Sequence, residues 1–544
     1  MNKLHRFAAI LLVLLMVLSL AACGDSKSPD KSAQPGSAQQ PSASGNTGNI
    51  PEAPEGSRGT VAGTVVRFGW LGEVTQFVPY VDTGSMDKKF QRNVMDGLVN
   101  YANSDPSQQI PGLAESWDIS DDDLTYTFHL RKGVVFHNGK AFTSADVMAC
   151  MELYKSISGP DATFAPIVKY EAPDDYTVVF TLAEPWSAFL YYMSSMYFPI
   201  CDVDAYKAQG NVWTACVGTG PYKLTDVTDS VYTLTANADY WDTPAEIETI
   251  RLQRVADKDA KFLAFQAGEI DTYDDGLTEI QLATLKSSGK DYYYGSQPLS
   301  NVFTMWMNTS REVFADVRVR QAICKLINRN EACLAGFGEG MYEEADCAWR
   351  STINGSKAGT VYDLDPDAGL ALLKEAGVDP ASLTFSILTV ENPPFRTIAE
   401  NIQAQLSQYG INVTVNSLQF FPVIGTMFAG DFDAVVFNVD AYAADPVVCY
   451  THPLLTGTFN TARVCDGMPE LFDQFTELLN TAAKTLDKDE QAKYLSQCAQ
   501  LTYDNALCAP MGSQILWTAT NPQFIPSWCP DDGQANFYCW HVVQ

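Results

Sequence analysis

The sequence predicts an α/β protein in which a strand-rich region precedes a region of alternating strands and helices. In "LTYTFHL", Leu124, Tyr126, Phe128 and Leu130 fall on one face and Thr125, Thr127 and His129 on the other, the pattern of a half-buried strand. Further along, "SLTFSILTV", "RTIAENIQAQLSQYG" and "INVTVNSL" read as strand, helix and strand joined by short connections. With 544 residues, 46% hydrophobic and 12% aromatic, the chain can build two or three such units.

The chain opens on Lys3, His5 and Arg6, runs through "FAAILLVLLMVLSL" and closes with Ala21 and Ala22 ahead of Cys23. A basic start, a short apolar core and small residues at the end make a secretory signal over 1–22. The core is too short to span a membrane comfortably, and no later window is apolar enough. "Leu20-Ala21-Ala22-Cys23" resembles the lipobox of bacterial lipoproteins, which implies that Cys23 is acylated and becomes the new N-terminus. Acyl chains adding about 0.8 kcal/mol per buried methylene would hold the protein on the extracytoplasmic face of a bacterial membrane. Residues 23–59 are rich in Ser, Pro, Gly, Gln and Asn and poor in large apolar side chains, so they read as a disordered linker. As a flexible coil that linker reaches on the order of 30 Å.

Beyond it, "YTVVFTL" near Tyr176 repeats the alternation of "LTYTFHL", and "SADVMACMELYK" reads as one helix capped by Ser144. "VGTGPYKL" places Gly218, Gly220 and Pro221 where a tight turn leads back into a strand. "DVRVRQAICKLINRN" reads as a helix starting after Asp316. In "DPDAGLALLKEAG", Asp365 is the N-cap, Pro366 sits in the first turn and Gly377 at the C-terminal cap. The helix "RTIAENIQAQLSQYG" stacks Ile398, Ile402 and Leu406, and "FDAVVFNV" follows as a buried strand. Trp117 and Trp241 are most simply core aromatics.

A formal net charge of −30 excludes generic affinity for nucleic acid or anionic lipid. Of the 13 cysteines, those after Cys23 show no Cys-x-x-Cys spacing, so neither a zinc site nor a thioredoxin-like site is indicated. Spacings such as Cys449 to Cys465, Cys498 to Cys508 and Cys529 to Cys539 leave disulfides and buried free thiols equally open. His129, His137, His452 and His541 are scattered, so neither a metal nor a cofactor is expected.

Several segments, in order, resemble the family 5 extracellular solute-binding proteins, the oligopeptide, dipeptide and nickel receptors of ABC importers. Val94 to Val147 is similar to that family's opening signature, with Pro-x-Leu-Ala-x-Ser-Trp and Leu-Arg-x-Gly-Val-x-Phe-His-x-Gly elements. "VGTGPYKL", "NADYW", "FQAGEIDTYDDG", "FADVRVRQAI", "LLKEAG", "QLSQYGINV", "GDFDAVVFN" and "DPVV" follow.

The resemblance implies a type II periplasmic-binding-protein fold: two lobes with a hinge, plus an extra strand-rich subdomain. Lobe I would comprise 60–97, 215–300 and 512–544, with the subdomain at 98–214, and lobe II would comprise 301–511. The hinge would cross at "NVFTMWMN" and "LCAPMGSQ". The implied function is a monomeric substrate-binding component that closes over a peptide or similar solute and docks on a membrane permease driven by its ATPases.

Oligopeptide receptors of the family hold the peptide ammonium with an aspartate a few residues before an acidic-Pro pair. Here the pair is Asp445-Pro446 and the matching position is Tyr442, with Asp440 two residues away. Positions where such receptors often carry arginines fall near Met427 and Val436. Because an unpaired buried ammonium costs several kcal/mol, the family's usual peptide pose does not carry over directly. Phe420 matches a cleft aromatic, and Phe303, Met305, Met511 and Ser513 on the crossing segments are further cleft candidates. This apolar set suits peptides held by their main chain, or a less charged solute; carbohydrate or a chelated metal complex also fits.

Two other function classes bear on this sequence. "VDTGSM" at 81–86 matches the Asp-Thr-Gly-Ser element of aspartic proteases, but those need a second copy and there is none, so a simple turn at Asp82 and Gly84 is expected. No Gly-x-Ser-x-Gly, phosphate loop or Cys/His dyad occurs, and no enzyme is expected. A surface receptor that reports a peptide signal without transport would use the same cleft and closure.

Overall fold

A single 13-residue strand, Cys508–Thr520, ties the two halves of the molecule together. The computed structural model describes residues 59–71, 85–102, 105–158, 164, 166–194, 197–208, 216–228, 231–299, 301–350, 353–439, 445–455, 460–527 and 537–543. Cys23, the linker up to 58, Asp82 to Gly84, Asp440, Tyr442 and Cys529 lie outside the described residues.

The first half of Cys508–Thr520 runs antiparallel to Val302–Met307, with Trp306 opposite Cys508 and Phe303 opposite Gly512. Its second half runs antiparallel to Tyr293–Pro298, with Pro298 opposite Ile515 and Tyr293 opposite Thr520. The sheet extends in both directions from this strand. On one side come Val302–Met307, Ala434–Val439, Thr384–Val390 and Asn412–Leu418. On the other come Thr272–Tyr273, Val61–Leu71, Ile247–Val255, Val231–Ala236 and Tyr222–Thr228.

The alternation read at 124–130 and 176–182 is present as strands Thr125–Leu130 and Thr177–Leu182, paired antiparallel in a separate four-stranded sheet. Tyr126, Phe128, Leu130, Val178, Phe180 and Leu182 face inward. They close on Phe189, whose ring lies 4.5 Å from Tyr126. This apolar cluster continues without a break into Val66, Phe68 and Trp70 of the long sheet and on to Trp540, so the strand-rich region shares its core with the first half. Besides the expected helix, which spans Ser144–Ser158, the region carries two short ones, Phe189–Tyr192 and Val203–Ala208.

The strand–helix–strand reading also appears. Thr384–Val390 is parallel to both Asn412–Leu418 and Ala434–Val439, and Phe395–Ser407 packs Ile398, Ile402 and Leu406 inward. Asp365 caps Pro366–Glu375 by accepting from the Ala368 N–H, and Gly377 takes φ 73°, a conformation that costs a residue with a Cβ. Asp316 caps Val317–Leu326 by accepting from the Arg318 N–H. The stretch read as one helix after Asp316 is two, because Asn328 breaks it and caps Arg329–Phe337.

Two local readings are corrected. Ser144 does not cap its helix: its hydroxyl donates to the Asp174 carbonyl at 2.7 Å, and the Asp146 carboxylate reaches back to the Thr143 N–H at 2.9 Å. Gly218 and Gly220 are demanded by close backbone approach, since a Cβ would stand 2.1 Å from the Val94 carbonyl oxygen at the first and 2.5 Å from the Val94 carbonyl carbon at the second. The question of the thiols is answered too. Cys201, Cys216, Cys324, Cys333, Cys347, Cys498 and Cys508 are free thiols and buried. Burial pushes the Cys324 and Cys498 thiols up to about 12 and keeps them protonated.

Candidate functional site

Three parallel strands end at one edge and each feeds a helix: Thr384–Val390 into Phe395–Ser407, Asn412–Leu418 into Phe420–Ala429, and Ala434–Val439 toward Pro446–Leu454. The carboxyl edge of parallel strands is where α/β sheets place ligands, because helix N-termini converge there and leave backbone donors available.

Aromatic rings floor this edge in a continuous series. Phe303 lies 4.9 Å from Phe337 and 4.8 Å from Phe395. Phe395 is 5.9 Å from Phe437, Phe437 is 6.1 Å from Phe420, and Phe420 is 5.5 Å from Phe421. The series runs from the interior to solvent: Phe303 is 3% exposed, Phe420 49% and Phe421 82%. Helix Phe420–Ala429 has no charged residue, and it turns Val423 and Met427 inward while leaving Phe420, Phe421 and Phe428 exposed. Exposed rings of this size are what a binding edge needs and what a plain surface avoids.

The predicted residues divide into groups. Phe420 stands at the edge. Phe303, Met305 and Met511 are buried in one apolar cluster, and core packing accounts for them without a ligand. Ser513 is 3% exposed and pairs with Glu343 across strands. Met427 and Val436, the positions compared with arginines, are core residues. A furrow of about 410 Å³ between helices Pro469–Lys484 and Lys488–Asp504, lined by Gln474, Tyr494 and Gln497, is not at this edge.

Sequence reasoning missed the groups that tie the crossing strands and the two regions. Arg350 donates to the Pro298 carbonyl at 2.6 Å and the Leu299 carbonyl at 3.1 Å, and pairs with Glu343 at 3.1 Å. It thereby fastens the stretch between the two consecutive strands that flank Cys508–Thr520. Asp445 is 5% exposed and caps Pro446–Leu454. It also accepts the Tyr192 hydroxyl at 3.0 Å from the strand-rich region. The Ser187 N–H donates to the Ala483 carbonyl at 2.9 Å and Lys484 meets Glu184 at 2.7 Å along the same seam. Burial pushes the Asp445 carboxyl up to about 6, against the opposing pull of Tyr192 and the Val447 and Val448 N–H groups. The Asp-Pro pair signalled the helix cap; nothing local signalled Tyr192.

Among the described residues no group of His, Cys, Asp and Glu could hold a metal ion, and no helix is long and apolar enough to cross a membrane.

Comparison with known proteins agrees with this architecture. The family described as bacterial extracellular solute-binding proteins, family 5 middle region, matches residues 108–460. Di/tripeptide-binding protein 3 of Pseudomonas aeruginosa is 26% identical over 465 residues, covering 76% of this chain and 83% of that protein. Heme-binding protein A of Haemophilus influenzae is 27% identical over 451 residues, covering 76% of this chain and 80% of that protein. The crystal structure of NikA from Brucella suis in complex with Fe(III)-EDTA superposes with a TM-score of 0.77 at 21% identity, over 88% of this chain and 100% of that one, a likeness of fold. The fold is the two-lobed type II periplasmic-binding-protein fold. A match over most of the chain, with the expected segments in order, places it among binding proteins and not enzymes: the chain belongs to family 5 of the bacterial extracellular solute-binding proteins.

Proposed function

We propose that this protein is the membrane-anchored, extracytoplasmic substrate-binding component of an ABC importer. It closes on a peptide or similar small solute of low charge and delivers it to the permease subunits and their ATPases. Cys23 is the lipid anchor. Lobe I (60–97, 215–300 and 512–544, with the subdomain 98–214) and lobe II (301–511) are hinged at the two crossing strands and close as a monomer.

The observation that carries the ligand reading is the aromatic series ending at Phe420 and Phe421 on the carboxyl edge of the parallel strands. Rings recognise apolar side chains and flat groups by area and stacking, each contributing about 0.5–1.5 kcal/mol beyond burial. Relatives named for a di/tripeptide and for heme mean that membership alone leaves the solute open. The test is native mass spectrometry of the chain purified gently from a peptide-rich medium, with fragmentation of any co-bound mass. A spread of short peptides supports the peptide reading, and one non-peptide mass moves the ligand class. If no peptide, flat apolar compound or metal chelate afterwards shifts its melting temperature, the binding reading fails.

A further inference from the structure

Among the described residues, three polar contacts hold the seam between the strand-rich region and the α/β region. Ser187 N–H meets the Ala483 carbonyl, Glu184 meets Lys484, and the Tyr192 hydroxyl meets the Asp445 carboxylate. Leu486 adds apolar contact against the core that the strand-rich region shares. Two of these points involve no buried carboxylate. A backbone hydrogen bond does not titrate, and Lys484 with Glu184 lies half-exposed, at 48% and 55%. The third differs, because Asp445 is buried and its side chain is answered by a phenol and backbone N–H groups.

We propose that Asp445, buried in this seam beside Tyr192, is a proton-operated latch: with Asp445 neutral the two regions hold together, and ionisation of the buried carboxyl loosens the seam.

Among the described residues the groups acting on Asp445 are few. From helix Phe189–Tyr192 comes the Tyr192 phenol, itself packed among Trp186, Tyr191 and Tyr197, all uncharged at neutral pH. From its own helix come the Val447 and Val448 N–H groups. On that helix His452 is kept neutral by burial, which lowers its pKa, and Tyr450 is held far above its usual range by burial. From helix Pro469–Lys484 the charge at the seam is Lys484, engaged by Glu184. No arginine or lysine is paired with Asp445 among the described residues, so an ionised carboxylate there keeps hydrogen bonds but no countercharge.

The sign follows from linkage. On this proposal, separating the regions returns Asp445 to water and toward its ordinary value of 3.8, whereas in the seam burial raises it to about 6. Joining the regions therefore takes up a proton, and the joined form is favoured below about pH 6 and loses that advantage as pH rises through it. Those two values give about a tenfold larger ratio of joined to separated molecules at pH 5 than at pH 7.5. A solute that requires the joined form would be held more tightly in acid by the same factor. The latch rests on the two-lobed fold and not on which solute is bound.

Single-molecule fluorescence on the full chain tests it, with genetically encoded labels at the exposed positions Val168 and Leu334, one on each side of the seam. The wild-type ratio is expected to fall about tenfold from pH 5 to pH 7.5, with a midpoint near 6. Asp445→Asn keeps a side-chain acceptor for Tyr192 and for the helix cap but cannot ionise, so its ratio is expected to be the same at both pH values. Tyr192→Phe removes the hydrogen bond that favours the ionised form. Its midpoint is expected to move above that of the wild type, which keeps the proposal testable if the Asn variant folds poorly. A wild-type ratio that ignores pH, an Asn variant that retains the tenfold change, or an unmoved midpoint in the Phe variant would overturn the latch. The readout needs no solute, so a failed latch leaves the binding reading intact, and a failed search for solute leaves the latch intact.

Discussion

Charge is handled in opposite ways on the two sides of the crossing strand. Around the strands Val61–Leu71 and Ile247–Val255, buried ions meet ions. Lys261, 1% exposed, is paired with Asp274 and with Asp275, the second at 2.5 Å. Asp271 takes Arg67, and Glu246 takes His541 at 2.9 Å. Asp96, driven up by desolvation, accepts from Trp241, Thr219 and Tyr240. In the α/β region the buried guanidinium groups of Arg320 and Arg350 are held chiefly by backbone carbonyls, Arg350 alongside Glu343. Arg320 donates to the Phe314, Ala315 and Asn505 carbonyls. Arg350 reaches the Pro298 and Leu299 carbonyls, and the open edge is left to phenylalanines. In the first region charge serves as internal cross-linking. In the second it fastens chain ends, so the aromatic edge is free of committed ions among the described residues.

The hardest blow to this contrast is Lys261→Met. It strands Asp274 without its cation, and breaking a buried pair costs about 3–5 kcal/mol; urea unfolding should register the loss. Phe303→Ala is the counterpart on the aromatic side, where removal of a buried ring is expected to cost about 3–5 kcal/mol by the same measurement.

His137 sharpens the comparison through pH. Its Nε2–H donates to the Gly220 carbonyl at 3.0 Å, and burial pushes its pKa down to about 4. The neutral ring is therefore the folded form, and stability present above 6.5 is lost as pH falls toward 4. Between pH 7 and pH 5 this group alone is expected to remove about 2 kcal/mol. His137→Gln should flatten that part of the stability–pH curve.

Phe421→Ala reverses the pattern of Phe303→Ala. At 82% exposure it is expected to change stability by no more than about 0.5 kcal/mol. Solute binding, read by calorimetry, should weaken about tenfold, the worth of one ring's contact. The smallest effect expected is that of reductant. With free thiols at Cys201, Cys216, Cys324, Cys333, Cys347, Cys498 and Cys508, dithiothreitol has no bridge to cut there and should leave the melting temperature in place, whereas loss of even one disulfide would cost about 2–4 kcal/mol.

Local periodicity carried much of the fold. The alternation at Tyr126, Phe128 and Leu130, the stacked Ile398, Ile402 and Leu406, and the caps at Asp365 and Asp316 depend on neighbours within a few residues, and the structure reproduces them. The misreadings arose where a distant partner decides. Ser144 turns to Asp174, 30 residues on. Gly218 and Gly220 answer to the backbone of Val94, and Asn328, whose N–H donates to the Gln405 side chain 77 positions on, breaks a stretch whose apolar spacing looks continuous. Of the candidate site, Phe420 was legible through its resemblance, while Phe303 and Met305 proved to be floor and core.

By itself the sequence determined the family, the strand and helix periods and the uncharged character of "FFPVIGTMFA", because these lie in the order and spacing of residues along the chain. Only the tertiary structure decided that Arg350 fastens the crossing strands and that Asp445 receives Tyr192 from 253 positions away. Burial and hydrogen-bond partnership are set by which surfaces meet, and a chain's order does not state that before it folds.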